Sequence, residues 1–220
     1  MVSRTAPTLT IAIVLDTCMI IAASPQDRQN VYYRLLQHYI NLVSKRGRVI
    51  VRTYVPEAVY VETLMLLTSE RWYCPRCSIV VGIPDTRYCP RCGSQNLIQS
   101  PRMGHRDAME FIERAVMYLT CGKFPYPQLR VPSISAVLRV IEEDRVVRDR
   151  FFQASARGQL PRSIFDLLIA MSAALIARDH RYRTWLVTLD EKLRDAVNVM
   201  RRIFAVNNLV YFNPKNHFKI

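Results

Sequence analysis

The chain has 220 residues, half of them apolar and only six of them glycine. That is room for one domain and a half, in a protein too apolar and too poor in glycine to be disordered or fibrous. A chain of this length buries roughly 70% of its unfolded surface, so it needs no disulfide framework. Lys and Arg number 31 against 18 Asp and Glu, a formal net charge of +13, most of it from arginine. A surplus of that size favours a polyanion such as nucleic acid, or an anionic membrane surface. Arginine leans toward phosphate, because its planar fork grips phosphate oxygens in pairs.

Residues 1–7 are polar and read as a loose tail. Residues 8–24 are apolar enough to resemble a short export signal, but Asp16 stands in the middle and no convincing cleavage site follows. The run is also too short to span a bilayer, and no other stretch is long enough to do so. It reads as a buried strand, Ile11-Ala12-Ile13-Val14-Leu15, covered on both faces and followed by a turn. With no export signal read, the six cysteines are expected in a reducing, cytoplasmic compartment, where paired motifs mean metal more often than disulfides.

Apolar spacing predicts a helix over residues 29–44, stopped by Gly47, and a second strand at Val49-Ile50-Val51. Pro56 opens a helix at a favoured first-turn position and the pattern runs to residue 69. Between residues 71 and 101 cysteines, prolines and aromatics replace the helical pattern, which resumes over 105–120. Residues 121–132 read as a loop with a short strand at 129–131, residues 133–157 as one long helix ended by Gly158, and 162–179 as another helix. A strand at 184–189, a helix at 191–200 and a last strand at 209–212 follow. Strands alternating with helices predict an α/β fold with a central, mainly parallel sheet between helices. The expected domains are a discontinuous one, residues 1–70 and 101–220, and an insert at 71–100.

The insert carries two C-P-x-C knuckles, Cys74-Pro75-Arg76-Cys77 and Cys89-Pro90-Arg91-Cys92, with eleven residues between them. Each knuckle aims two thiolates at one point, and two knuckles complete the closed four-sulfur shell of a structural zinc. An iron or iron–sulfur centre, or unrelated buried thiols, are the alternatives. A segment this small has little core, and zinc supplies on the order of 10 kcal/mol of folding free energy. The pattern resembles a zinc ribbon, in which Trp72, Tyr73, Val80, Val81, Tyr88 and Ile98 would cover small strands. Arg71, Arg76, Arg87 and Arg91 make this knob a candidate nucleic-acid contact; the plainer reading is a solvated, stabilising insert. Cys18 and Cys121 fall outside the pattern and read as small buried residues.

Four acids stand where acids are expensive. Asp16 and Asp190 each follow an apolar strand, at the carboxyl ends where α/β folds build their sites. Glu62 lies mid-helix among Ala58, Val59, Met65 and Leu66, on the stripe expected to be buried. Asp166 opens the helix that holds Ile169, Ala170 and Ala173, and Thr188 points the same way as Asp190 along the extended chain. Gathered together, such carboxylates raise one another's pKa, and a divalent cation resolves the conflict, Mg²⁺ or Mn²⁺ by the hardness of the ligands. The chemistry that follows is metal-assisted hydrolysis. Taken singly, Asp16 and Asp166 could be helix N-caps, Asp190 the start of a turn, and Glu62 the partner of a buried arginine.

Ile13-Val14-Leu15-Asp16-Thr17, Val55-Pro56-Glu57-Ala58-Val59-Tyr60-Val61-Glu62, Phe165-Asp166-Leu167-Leu168-Ile169-Ala170, Leu186-Val187-Thr188-Leu189-Asp190 and Val210-Tyr211-Phe212-Asn213-Pro214 together resemble the PIN-domain endonuclease family. The resemblance implies a Mg²⁺- or Mn²⁺-dependent single-strand ribonuclease using Asp16, Glu62, Asp166 and Asp190, with Thr188 in support and Asp195 as a weaker extra candidate. A PIN domain with a zinc ribbon is also similar to the endonucleases that mature ribosomal RNA, with the ribbon in a different place along the chain. RNA, ribosomal RNA among the candidates, is the expected partner; a homodimer or ribosome association is compatible, and a membrane is not expected. A non-catalytic RNA- or ribosome-binding adaptor on the same scaffold is the alternative. No phosphate-binding or dinucleotide-binding glycine motif occurs. His38, His105, His180 and His217 lack metal spacing, and Glu142-Glu143-Asp144 reads as a solvated helix face with Asp144 paired to Arg148.

Overall fold

Ile11 to Leu15 are all buried, and the strand that contains them runs through the middle of a parallel sheet. The computed structural model describes residues 9–22, 49–69, 71–74, 76, 79–81, 88–89, 92–100, 103–120 and 127–217. The expected tail at 1–7, the helix at 29–44 with its stop at Gly47, and Cys121 lie outside them.

In chain order, β1 (Leu9–Leu15) leads into a short helix α1 (Thr17–Ala22). β2 (Val49–Val55) and α2 (Glu57–Thr68) follow. β3 (Arg71–Cys74), β4 (Ile79–Val81) and β5 (Ile98–Ser100) form a separate antiparallel sheet in the order β4-β3-β5. Then come α3 (His105–Leu119), β6 (Gln128–Leu129), α4 (Ile134–Glu143) and α5 (Arg145–Ala156). The chain closes with α6 (Ile164–His180), β7 (Arg183–Val187), α7 (Lys192–Phe204), β8 (Leu209–Phe212) and α8 (Pro214–His217).

The main sheet has the order β6-β2-β1-β7-β8, and every pairing in it is parallel. Early strands extend from β1 to one side and late strands to the other. The strand order therefore reverses between β1 and β7, and a crevice opens there beyond the carboxyl ends of the strands. β1, β2 and β7 are built largely from β-branched and other apolar residues, as strands covered on both faces require. The middle of α6, from Leu168 to Ala177, is buried all round, so this helix is a core element and not an amphipathic cover. It packs on α7, α4, α2 and β7. α3 is amphipathic: Ala108, Ile112, Ala115, Val116 and Leu119 turn inward, and the helix lies against α2.

Local chemistry moves several boundaries. The turn after β1 is helical, since the Asp16 carbonyl accepts from Met19 at 3.0 Å and Ile20 at 3.3 Å. Pro56 is the residue before α2 and not in its first turn; its carbonyl accepts from Tyr60 at 3.0 Å. β7 ends at Val187, leaving Thr188 to Asp190 beyond the sheet. The expected long helix at 133–157 is two helices. Asp144 leaves helical geometry (φ −92°, ψ 100°) and caps α5 by accepting the amides of Val146 and Val147 at 3.0 and 3.1 Å. Its second oxygen meets Arg178 of α6 at 3.2 Å, so the cap also ties α5 to the central helix. Arg148 turns instead to the Glu142 carbonyl at 3.1 Å.

Candidate functional site

Asp16 is the first residue past β1 and is 5% exposed. Its amide continues the β1–β7 pairing by donating to the Val187 carbonyl at 3.1 Å, which fixes its backbone in the crevice. Its carboxylate takes three donors: the Thr17 amide at 2.8 Å on Oδ1, and the Thr188 hydroxyl at 2.7 Å and the Cys18 thiol at 2.9 Å on Oδ2. Thr188, fully buried, also accepts the Asp190 amide at 2.9 Å, so one hydroxyl links two of the four acids. Asp190 Oδ1 accepts the Lys192 amide at 2.9 Å. That is the turn-starting role an aspartate often has, and it leaves Oδ2 clear of that turn. The Asp190 carbonyl accepts from the Tyr211 hydroxyl at 3.3 Å, itself bonded by Asn213 at 3.1 Å, so the end of β8 braces this loop.

Glu62 reaches the same place from α2, where its Oε2 accepts a short hydrogen bond from the Thr17 hydroxyl. It is half-buried: Ala58 and Val59 on its face are buried, but Met65 is exposed, so the expected stripe is only partly closed. Asp166 is the third residue of α6 and not its cap; Ser163 caps the helix by accepting the Asp166 amide at 3.3 Å. Its first-turn carboxylate sits where the helix dipole favours an anion.

Burial pushes the Asp16 carboxyl above its ordinary range; the bonds from Cys18, Thr188 and Thr17 pull it back, and the charge of Asp190 adds to the rise. Glu62 is raised by burial first, against the Thr17 bond, and then by the charges of Asp16 and Asp166. Asp166 is raised by burial and by Asp190 and Asp16, with Lys192 opposing. Each of these acids thus sits in the field of others. Among the described residues no arginine, lysine or histidine makes an ion pair with any of the four. No three of them bring carboxylate oxygens within 4.8 Å of one another.

Two contributors escape the sequence reading. Thr17 holds Glu62, and Cys18 is no inert filler: it bonds Asp16, lies 3.4 Å from Thr188 and accepts the Leu189 amide at 3.1 Å. Burial and the Asp16 charge push its thiol pKa up, which keeps it a donor to Asp16. Their position directly after the acid that ends β1 is the signal that could have found them. Asp195 lines a cleft with Asp166 on α7, one turn past Lys192.

Cys74 ends β3 of the three-stranded sheet, and Cys89 and Cys92 stand in the chain between β4 and β5. Cys74, Cys89 and Cys92 bring their sulfurs within 4.8 Å of one another, the first two fully buried, and this group could hold a metal such as zinc. Cys74 and Cys92 are 3.6 Å apart, far beyond disulfide bonding and close to the roughly 3.8 Å between sulfurs held at about 2.3 Å around a tetrahedral zinc. The second knuckle turns on Gly93 (φ 68°), whose amide donates to the Cys89 carbonyl at 2.8 Å; a side chain there would strain the turn. Cys77, Arg87, Arg91 and the Arg71 side chain lie outside the described residues, and Arg76 is exposed. Tyr88 is 60% exposed, so it does not cover the strands as expected.

No described helix is long and apolar enough to cross a membrane. No family model, curated protein or solved structure matches the chain.

Proposed function

We propose that the chain is a Mg²⁺- or Mn²⁺-dependent endoribonuclease of the PIN type, acting on single-stranded RNA and carrying an inserted zinc ribbon. The observation that carries the reading is the meeting of Asp16, Glu62, Asp166 and Asp190, from four separate stretches of chain, at the crevice where the strand order reverses. The donor set fits a hard divalent cation: carboxylates only, each raised one by burial and by its neighbours, with no cation paired to them among the described residues. Their spacing suits Mg²⁺, which binds through one or two carboxylates and keeps several waters. When bound, such an ion supplies Lewis acidity at a phosphodiester.

The protein's own part is to hold the ligands still. Three donors stop the Asp16 carboxylate from swinging, Thr188 couples it to the Asp190 loop, and Thr17 aims Glu62. Lys192, close enough to Asp166 to oppose its rise, is available to a phosphate at the rim. Cys77 would complete a four-sulfur zinc shell with Cys74, Cys89 and Cys92. Arg71, Arg76, Arg87 and Arg91 would then offer charge to RNA, ribosomal RNA among the candidates.

Purified protein should cut single-stranded RNA with Mg²⁺ or Mn²⁺ and lose that activity in Asp16→Asn; cutting that survives the substitution unchanged overturns the assignment. The open spacing of the acids favours one second reading, an adaptor that binds RNA without turnover. It predicts salt-sensitive RNA binding and no cleavage at any metal concentration.

A further inference from the structure

Two clefts share a border at Gln159, and one of them reaches Asp166. One is walled by Asp166 at the start of α6, by Lys192 and Asp195 on α7, and by the turn at 159–163. The other, about 210 Å³, lies between α5 and α7 and is lined by Arg150, Arg157 and Arg202 with Gln153 and Gln159, and by no carboxylate. Gln159 borders both, so the two are neighbours. Past the second cleft, Arg150 and Arg202 also face a shallower depression with Arg201, Asn198 and Asn207, again without an acid.

Arg150 is fixed in place, its Nη1 donating to the Arg202 and Ile203 carbonyls at 3.3 and 3.4 Å at the end of α7. Arg157 and Arg202 make no ion pair among the described residues. Three guanidinium groups in one concave cleft repel one another unless an anion joins them. Lys192 borders the first cleft and Arg202 the second, about 15 Å apart along α7 at the helical rise. A backbone of several phosphates spans such a distance, and the glutamine amides add the neutral donors that phosphates and sugars commonly meet.

The geometry points to the α5–α7 cleft as the track that carries the RNA backbone away from the carboxylates, across residues 157–163. This rests on the ribonuclease reading and extends it by giving the substrate a path and the cleavage site a minimum flanking length.

The test measures binding of a labelled single-stranded RNA across a salt series, in buffer without added Mg²⁺ or Mn²⁺ so that the zinc is kept. Each phosphate contact on a single strand contributes about 0.7 to the slope of log affinity against log salt. R157Q/R202Q should therefore flatten the slope by about 1.4 and weaken binding severalfold at low salt. R157K/R202K, which keeps the charge, should restore most of both. R139Q/R145Q, which removes equal charge from exposed pairs on α4 and α5, is the control. A slope and affinity for R157Q/R202Q equal to the control's overturn the track. So does an acidic peptide that binds more tightly than RNA and loses its binding in R157Q/R202Q, which would assign the cleft to a protein partner. Because binding is read without turnover, a wild-type chain that cuts no RNA yet shows the slope change loses the ribonuclease reading and keeps the track. A chain that cuts RNA with the slope unmoved loses only the track.

Discussion

The hydroxyl of Thr188 donates to Asp16 at 2.7 Å while accepting the amide of Asp190 at 2.9 Å, joining the ends of β1 and β7 through one buried atom. Replacing it tests how much of the site is frame. Thr188→Val keeps the shape and removes both bonds, leaving the Asp190 amide without this acceptor and Asp16 Oδ2 with the Cys18 thiol alone. A buried group left unsatisfied costs about 1–3 kcal/mol. The melting temperature should fall, and RNA cleavage should fall at least tenfold, while Thr188→Ser recovers most of both. A Thr188→Val protein with unchanged melting and cleavage would remove Thr188 from the site.

The raised acids set a pH dependence. A carboxyl whose folded pKa lies above its unfolded value stabilises the fold fully below the unfolded value, about 3.9–4.3 for Asp and Glu. That contribution is lost as pH rises through the folded value. Asp16, Glu62 and Asp166 all shift this way. Without added Mg²⁺ or Mn²⁺, the stability of the wild-type chain relative to Asp16→Asn should decline from about pH 4 toward neutrality. At neutral pH, Mg²⁺ or Mn²⁺ should raise the melting temperature of the wild type, by mass action on the folded state, and leave Asp16→Asn almost unmoved. Equal metal-induced shifts in the two proteins would take the cation away from Asp16.

The cysteine group should carry metal in stoichiometric amount. Elemental analysis should find one zinc per chain, lost in Cys89→Ser, since Cys89 is one of the two fully buried sulfurs of the trio. RNA cleavage by that variant should weaken through affinity more than through turnover. A zinc content unchanged in Cys89→Ser would place the metal elsewhere.

Asp144 separates a cap from an ion pair. Asp144→Ala removes the acceptor for two amides of α5 and should cost roughly 1 kcal/mol for the cap, with a smaller addition from the half-exposed pair with Arg178. Asp144→Asn retains a capping oxygen and should lose only that smaller part. Chemical denaturation of both variants measures the difference; equal losses would mean that the pair outweighs the cap.

Much of the fold is readable from the chain because its parallel strands are continuous apolar runs. Ile11 to Leu15 announces a strand covered on both faces, and the acid directly after it announces an expensive position. The four acids are legible for the same reason: each interrupts or ends an apolar pattern. What escaped was local. Asp144 breaks a helical run with no glycine or proline to mark the break, because a side-chain cap can end one helix and begin another without either. Thr17 and Cys18 look like ordinary helix-start residues until β7 and α2 arrive from far along the chain to meet them. The arginine cleft was hidden because α5 and α7 each show a mixed charge pattern alone, and only their packing gathers the cations.

The amide of Met103 donates to the carbonyl of Leu67 at 3.2 Å, so the polypeptide departs from α2 and comes home beside α3 at a single point. The stretch between is thereby expected to be removable. A linker of two or three residues can bridge the gap, and closing so short a loop costs less entropy than closing the natural one. Excision there should yield a stripped-down variant that keeps the parallel sheet and its acids.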